Sequence, residues 1–179
     1  LFVIAAVICI YLWKRLDRDP QTKLQKDGFL LSLPLVGTLI LYRECAVFAR
    51  TLGALMGAGI PLIQALRISR EVIANSVLTS HLLKVEEDVR GGSGLGISLE
   101  RTNRFPTLLH QLVAVGEESG RTSDILLKTA LTFDTYVRNQ MSALVSALQP
   151  ALIIFLAIAV GGITITMLSA VFSMNAVEF

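Results

Sequence analysis

The residues of this chain that could do chemistry are few, and most are carboxylates. Two acidic runs, Glu86–Asp88 and Glu117-Glu118, carry the oxygen ligands that hard divalent cations prefer. A solvated acidic helix face explains the same runs and is the favoured interpretation. His81 and His110 each stand alone, without a Cys or His at the spacing of a zinc site. The histidines therefore give no support to a zinc centre.

Nucleophilic and phosphate-binding chemistry also lack the residues that they require. Cys45 has no activating base nearby in the sequence, and no Ser-His-Asp set is suggested. The glycines between Gly91 and Gly96 have neither a following Lys-Ser/Thr nor the G-x-G-x-x-G spacing, so they predict a turn between two helices. We therefore predict no catalytic, cofactor-binding or metal-ligating residues, and no enzyme.

The elements around these residues are dominated by a stretch without charge, from position 139 to position 177. Within it residues 150–172 are almost continuously apolar. At about 1.5 Å per residue they reach roughly 34 Å, enough for the hydrocarbon core of a bilayer. The hydroxyls of Thr164, Thr166 and Ser169 can bond back to helix carbonyls. We predict a transmembrane helix over 139–174 and a periplasmic tail over 175–179.

The beginning of the chain is apolar as well, but residues 1–13 are too few to span a bilayer. They are expected to be the last part of a truncated transmembrane helix, with Tyr11 and Trp13 at the bilayer edge. Cys9 lies in this stretch, so a structural disulfide with Cys45 is not expected. A basic juxtamembrane and interfacial segment is predicted over 14–41.

Charge predicts the orientation of the chain in the membrane. Basic residues crowd the exit of the first apolar stretch, and no Lys or Arg follows Arg138. The positive-inside rule therefore places the segment up to about Arg138 in the cytoplasm. Anionic lipid headgroups are the expected partner of the basic patch, and no nucleic-acid motif is present. The basic residues of the patch are Lys14, Arg15, Arg18, Lys23, Lys26 and Arg43.

Between the apolar stretches the hydrophobic periodicity is helical throughout, and no run predicts a strand. The fold class is all-α: a six-helix cytoplasmic bundle over 42–138, flanked by transmembrane helices. The predicted helices cover about 42–57, 61–74, 76–90, 95–101, 106–118 and the residues from 122 onward. Their apolar stripes predict a core of Phe48, Leu52, Leu55, Met56, Leu62, Leu66, Leu78, Leu82, Val85, Val89, Leu108, Leu109, Leu112, Val113, Leu126, Ala130, Phe133 and Val137, with Ile63 or Ile73.

Several residues are expected to begin or end these helices. Pro61 opens the second helix, Asn75 or Ser76 caps the third, and Gly120 ends the fifth. Thr122 or Ser123 is expected to cap the sixth. In the C-terminal span, small residues predict close packing of membrane helices; they are Ala157, Gly161 and Gly162.

Two sequence motifs are more informative about the identity of the chain than these helix and charge patterns. The first is Phe48–Leu55 (FARTLGAL), followed by Gly57–Leu62 (GAGIPL). The second is Gly116–Gly120 (GEESG), with Pro106 ahead of it. Their order resembles the type II secretion system protein F family, and the resemblance covers nearly the whole chain. One departure is Gln149 before Pro150, where family members often have an acidic residue.

The resemblance implies a fold and a role. It implies the second half of a duplicated, multi-pass platform protein in the bacterial inner membrane, in a type II secretion or type IV pilus machine. The implied partners are the assembly ATPase, other inner-membrane components, pilin or pseudopilin, membrane lipids and further copies of the chain; no cofactor is implied. The motif residues that are candidates for partner contact are Pro61, Gly116, Glu117, Glu118, Ser119 and Gly120, with a structural role favoured.

A second functional class stays open at this point. A subunit of a membrane transport or signalling complex, in which a helical cytoplasmic domain gates a pore, has the same elements. The absence of ionisable residues within the C-terminal span is evidence against an ion pathway through it. The sequence does not distinguish a secretion machine from a pilus machine.

Overall fold

The computed structural model describes residues 27–33 and 36–175, without the side chains of Ala151 and of residues 168–175. All regular structure in these ranges is helical, which confirms the all-α prediction. A short helical segment covers 27–32. Six helices follow: α1 (Val36–Gly57), α2 (Leu62–Glu71), α3 (Ser76–Arg90), α4 (Leu95–Arg101), α5 (Thr107–Ser119) and α6 (Thr122–Asn175). The predictions for residues 1–26 and for the tail beyond Asn175 lie outside the described residues.

The first helix begins earlier than predicted, at Val36 rather than near Tyr42. Gly37 is buried inside α1, where its amide donates to the Leu33 carbonyl at 2.8 Å. A side chain at this position would collide with the backbone carbonyl of Leu31. The glycine therefore permits close packing of the preceding segment instead of breaking the helix.

The core of the bundle receives side chains from all six helices and confirms most of the predicted positions. Leu108 is an error of the prediction, since it is 40% exposed whereas its neighbour Leu109 is fully buried. Consecutive residues on a helix differ by about 100° in direction, and here the turn directs Leu109 into the core and Leu108 toward the surface. The largest fully buried side chains are Phe48, Phe133, Leu52, Leu66, Leu78, Leu82, Leu95, Leu99, Leu109, Leu126, Val85 and Val113.

The helix ends follow from local chemistry. Asn75 is the N-cap of α3, and its side-chain oxygen accepts from the amides of Val77 and Leu78 at 3.0 and 3.1 Å. Gly92 ends α3 with a φ of 94°, and the Ser93 amide donates to the Asp88 carbonyl at 3.0 Å. The glycine-rich stretch is therefore a helix–helix turn, as predicted.

The predicted caps of α6 are wrong, because Thr122 and Ser123 both lie inside the helix. The carbonyl of Arg121 accepts the first helical hydrogen bond, from Ile125 at 3.1 Å. The Ser123 hydroxyl instead donates to the carbonyl of Gly53 in α1 at 2.8 Å. Pro61 and Pro106 likewise stand one position before their helices rather than opening them.

Contacts between α1 and the first part of α6 close the bundle. Tyr42 meets Phe133 edge to face, with ring centroids 5.1 Å apart, and stacks on Tyr136 at 4.3 Å. Arg50 and Asp134 form an ion pair between the same helices. The chain divides into two compact units after this region, the first ending at Val137 and the second beginning at Arg138.

The second unit consists of the later part of α6 and the chain beyond it. Its apolar side chains are exposed, among them Phe155, Ile158 and Ile163. Among the described residues, α6 is the one helix whose length and composition suffice to cross a membrane, over Thr122–Met167. The hydroxyls of Thr164 and Thr166 donate to helix carbonyls one turn earlier, as predicted.

Replacing Gly120 by Ala is expected to destabilise the protein by about 1 kcal/mol, because a side chain disfavours a left-handed conformation. Gly120 has a φ of 67°, and a Cβ added there would meet no atom within 4 Å, so the loss is conformational. Gly120→Asn is the matched control, since Asn tolerates this conformation better. Urea unfolding of the full protein in detergent measures both; equal stability of Gly120→Ala and the parent would contradict the assignment.

Cys45 is expected to react slowly with alkylating reagents while the protein is folded. Burial raises the pKa of its thiol, and the neighbouring Glu44 carboxylate raises it further. The unfolded thiol loses its proton near pH 8.5 whereas the folded one keeps it, so the contribution of this thiol to stability declines above about pH 8.5.

Iodoacetamide labelling of a Cys9→Ala variant between pH 7 and 9.5, with and without urea, measures this protection. A folded-state rate that equals the unfolded-state rate, or that levels off above about pH 8.5 as the unfolded-state rate does, would contradict the prediction.

Candidate functional site

The motif Gly116–Gly120 forms the end of α5 and the corner that leads into α6. Gly120 adopts the left-handed conformation at the helix end, which confirms its prediction as a C-cap. The amide of Arg121 donates to the Gly116 carbonyl at 2.9 Å, and the amide of Gly120 donates to the Glu117 carbonyl at 3.3 Å. These two bonds form a Schellman motif, which pairs carbonyls that the helix end leaves free.

Glu117 binds the beginning of another helix. Its two carboxylate oxygens accept from the amides of Leu95 and Gly96, at 2.6 and 2.9 Å. These amides belong to the first turn of α4, whose own N-cap, Gly94, has no side chain to pair with them. A carboxylate at a helix N-terminus satisfies free amides and interacts favourably with the helix dipole.

The close approach of α4 to α5 makes this contact geometrically feasible. A Cβ on Gly96 would lie 2.9 Å from the backbone of Ala114, closer than real Cβ atoms come. Ala114 and Glu117 are three residues apart and therefore share one side of α5. Because position 96 has no side chain, α4 lies near enough for the Glu117 carboxylate to reach its amides.

The remaining motif residues divide into internal and exposed positions. Gly116 is buried, and a Cβ there would stand 3.0 Å from the Cα of Thr122 at the corner. The Ser119 hydroxyl donates to the Val115 carbonyl of its own helix at 2.7 Å. Glu118 is exposed, and no described residue forms a hydrogen bond or ion pair with its carboxylate. Glu118 is thus the motif side chain that is available to a partner.

Other carboxylates have structural partners that sequence reasoning missed. Glu44 is buried and accepts from the amide of Ala74 at 2.9 Å, while Asp27 accepts from the amide of Ser76 at 2.8 Å. Two acids from the N-terminal part of the domain therefore hold the connection between α2 and α3. The local sequence carries no signal of these contacts, because each joins residues 30 or more positions apart.

Glu86, in the first acidic run, is also buried. It forms ion pairs with Arg90 at 3.0 Å and with Arg70 of α2 at 3.4 Å. In the described part of the chain, no group of three or more His, Cys, Asp or Glu side chains converges as metal ligands would. Glu86 is paired with two arginines, and Glu117 accepts from two backbone amides. These partners explain why neither acidic run forms a cluster of metal-ligating carboxylates.

Among the described residues, neither histidine belongs to a group of side chains that could hold a metal ion. Partial burial lowers the pKa of His81, and the positive charges of Arg104 and Lys84 lower it further.

The small residues in the C-terminal part of α6 lie on two different sides of the helix. Ala157 and Gly161 are four positions apart and share a face, whereas Gly162 is turned away from Ala157 by about 140°. A Cβ on either glycine would meet no atom within 4 Å. Packing of these residues against another membrane helix stays a prediction.

Replacing Glu117 by Ala is expected to destabilise the fold by about 2 kcal/mol, because two amides of α4 lose their acceptor. Glu118→Ala is the matched control, since it removes an exposed carboxylate from the next position and should change stability by less than about 0.5 kcal/mol. Urea unfolding of the full protein in detergent measures the difference. Hydrogen exchange should also accelerate at Leu95 and Gly96 in Glu117→Ala only; equal behaviour of the two variants would contradict the capping role.

Comparisons with known proteins agree with this architecture. The family model described as "Type II secretion system (T2SS), protein F" matches residues 48–170. Type II secretion system protein F of Pseudomonas aeruginosa is 37% identical over 83% of this chain and 36% of its own length. The protein of the same name from Xanthomonas campestris pv. campestris is 39% identical over 84% of the chain and 37% of its own length.

Relatives that are named as pilus assembly proteins also match most of this chain. Type IV pilus assembly protein TapC of Aeromonas hydrophila is 32% identical over 93% of this chain and 40% of its own length. The chain thus spans well under half the length of these curated relatives. With the family model covering more than half of its residues, the chain belongs to the type II secretion system protein F family.

Proposed function

We propose that this protein is an inner-membrane platform of a type II secretion or type IV pilus machine, and that it couples a cytoplasmic ATPase to the assembly of pilin or pseudopilin subunits. An inner-membrane location fits the family. The observation that carries the proposal is that α6 contains both a packed bundle segment, with Leu126 and Phe133 in the core, and an uncharged segment with exposed apolar side chains.

The bundle is proposed to face the cytoplasm and to contact the ATPase. One exposed face of α5 supports this role, since it combines apolar and acidic side chains next to the rigid corner. Val115 is 53% exposed and Glu118 is exposed one turn later. Apolar side chains beside charged ones are typical of protein interfaces, whereas the motif residues Gly116 and Glu117 are engaged inside the bundle.

Helix α6 is proposed to transmit displacement from the bundle to the membrane segment. Helix α6 covers Thr122–Asn175, and the one helical hydrogen bond that Pro150 cannot donate is missing within it. A helix resists axial deformation because each turn is bonded to the next. A movement of the bundle is therefore expected to reach residues that contact a subunit in the bilayer.

The test is photo-crosslinking in living cells from two positions of the full-length protein, Glu118 in the bundle and Ile163 in the apolar segment. An ATPase adduct at Glu118 and a pilin-like adduct at Ile163 are expected, identified by mass spectrometry. Glu71, exposed on α2, is a control for the bundle surface and should give no ATPase adduct.

Two results would contradict the proposal. If both positions captured only lipid or further copies of the chain, coupling between a motor and a fibre would lose its support. If Ile163 captured a channel or receptor subunit, the transport or signalling class would replace it.

A further inference from the structure

The chain leaves the helical bundle at the end where α1 begins. Ser123, near the start of α6, donates to the carbonyl of Gly53, near the end of α1, at 2.8 Å. Tyr136, farther along α6, stacks on Tyr42, in the first half of α1. The two helices therefore run antiparallel. The first compact unit ends at Val137, directly after the tyrosine pair.

The chain also enters the bundle at this end. The segment 27–32 lies against the start of α1, because a side chain at Gly37 would collide with the backbone carbonyl of Leu31. Asp27, the first described residue, accepts from the amide of Ser76 at 2.8 Å. This bond places the connection between α2 and α3 at the same end of the bundle.

Both connections lead, in the sequence, to an apolar stretch. Residues 1–13 precede Asp27, and the uncharged stretch from 139 onward follows Val137. The inference rests on the membrane location proposed above, in which both stretches belong to the bilayer. Two membrane tethers that join one end of a domain keep that end next to the bilayer surface.

This end of the bundle exposes large apolar side chains. Phe29 is 67% exposed, Val36 is 45% exposed and Val72 is 48% exposed. They come from three elements, namely the segment 27–32, the first turn of α1 and the C-cap of α2. We call these three residues, together with Arg43 of α1, the tether rim. Exposed apolar side chains that share one end of a domain mark a surface for a partner or a membrane.

Arg43 gives the tether rim a positive charge. It follows Val36 by seven residues, so the two side chains lie within about 20° of each other around α1. The guanidinium is 3.6 Å from the Glu44 carboxylate, yet the Arg43 side chain is 69% exposed. A guanidinium has five N–H donors, so Arg43 is able to bind a second anion from outside the protein.

The acidic side chains around the tether rim do not oppose an anionic partner. Asp27 and Glu44 accept from backbone amides inside the bundle. Glu71 is exposed next to Val72, but Arg67 lies 4.0 Å from it, one turn earlier on α2. The charges of this pair offset each other, which leaves the cation of α1 as the exposed charge beside the apolar side chains.

We propose that the tether rim is a docking surface for the anionic, cytoplasmic surface of the bilayer. Its three apolar side chains enter the headgroup region, and Arg43 binds a lipid phosphate. Apolar side chains flanked by cations are the combination with which proteins lie on a bilayer surface, and the planar guanidinium matches phosphate oxygens. Docking fixes the orientation of the bundle, so that the corner between α5 and α6, at the opposite end, faces cytoplasmic partners.

Photo-crosslinking of the full-length protein in native membranes tests the proposal. A photoreactive amino acid replaces Phe29, Val36 or Val72. The matched controls are Ile97 and Val115, which are 52% and 53% exposed on the helices next to the opposite corner. Mass spectrometry is expected to find phospholipid adducts at the three rim positions and none at the controls. Protein adducts instead of lipid adducts at the rim, or equal lipid adducts at all five positions, would overturn the proposal.

A second measurement addresses the charge, with the full-length protein in nanodiscs that contain phosphatidylglycerol. Arg43→Gln should lower the lipid-adduct yield at Val36 by about fivefold, the factor expected for one cation near an anionic membrane surface. Arg43→Lys should retain most of the yield, and Arg101→Gln is the control for loss of an exposed cation elsewhere. The effect should shrink in nanodiscs of phosphatidylcholine alone. An unchanged yield in Arg43→Gln would overturn the role of Arg43.

Membrane fractionation separates this inference from the proposed function. If the protein does not fractionate with membranes, both fail. If it does, and the rim captures no more lipid than the controls, only the docking surface fails. If the rim captures lipid while Glu118 captures no ATPase, the docking surface stands and the motor coupling fails.

Discussion

The contact between the Glu117 carboxylate and the first turn of α4 is the interaction on which the rest of the bundle depends. Helix α4 has only seven residues, and a helix this short is not stable alone in water. Its N-cap is a glycine without a capping side chain, so the amides of Leu95 and Gly96 need an acceptor from elsewhere. Glu117 provides it from α5, at the turn where α5 ends and the chain enters α6. One side chain thereby joins α4 to the end of α5.

Long-range carboxylate contacts recur in this small domain. Glu44 and Asp27 hold the connection between α2 and α3 by its amides, and Glu86 lies between Arg70 and Arg90. Short helices expose many unpaired amides relative to their length, and an ionised acceptor binds such amides more strongly than a neutral one. Among the described acidic residues, Asp27, Glu44 and Glu117 therefore act as internal caps.

The family motif acquires a physical meaning from these contacts. Gly116 permits the close corner, Glu117 caps α4, Ser119 bonds to its own helix and Gly120 ends α5 in a left-handed conformation. Four of the five positions are explained by folding alone. Glu118, exposed at the same corner, is the position at which partner binding is proposed. A rigid corner with one free carboxylate is well suited to present that group to a partner.

The sequence by itself determined the helical class, most helix bounds, the core of α3, the glycine turns and the apolar stretch. Periodicity, glycine, proline and the absence of charge act within a few residues, so they are visible in the chain alone. Only the tertiary structure decided where Glu117, Glu44 and Asp27 bind and why Ser123 is not a cap. Each of these depends on a backbone group at least 20 residues away, whose approach is governed by packing. Hydrogen bonds require contact within about 3 Å, and sequence patterns carry no information on such distances between remote segments.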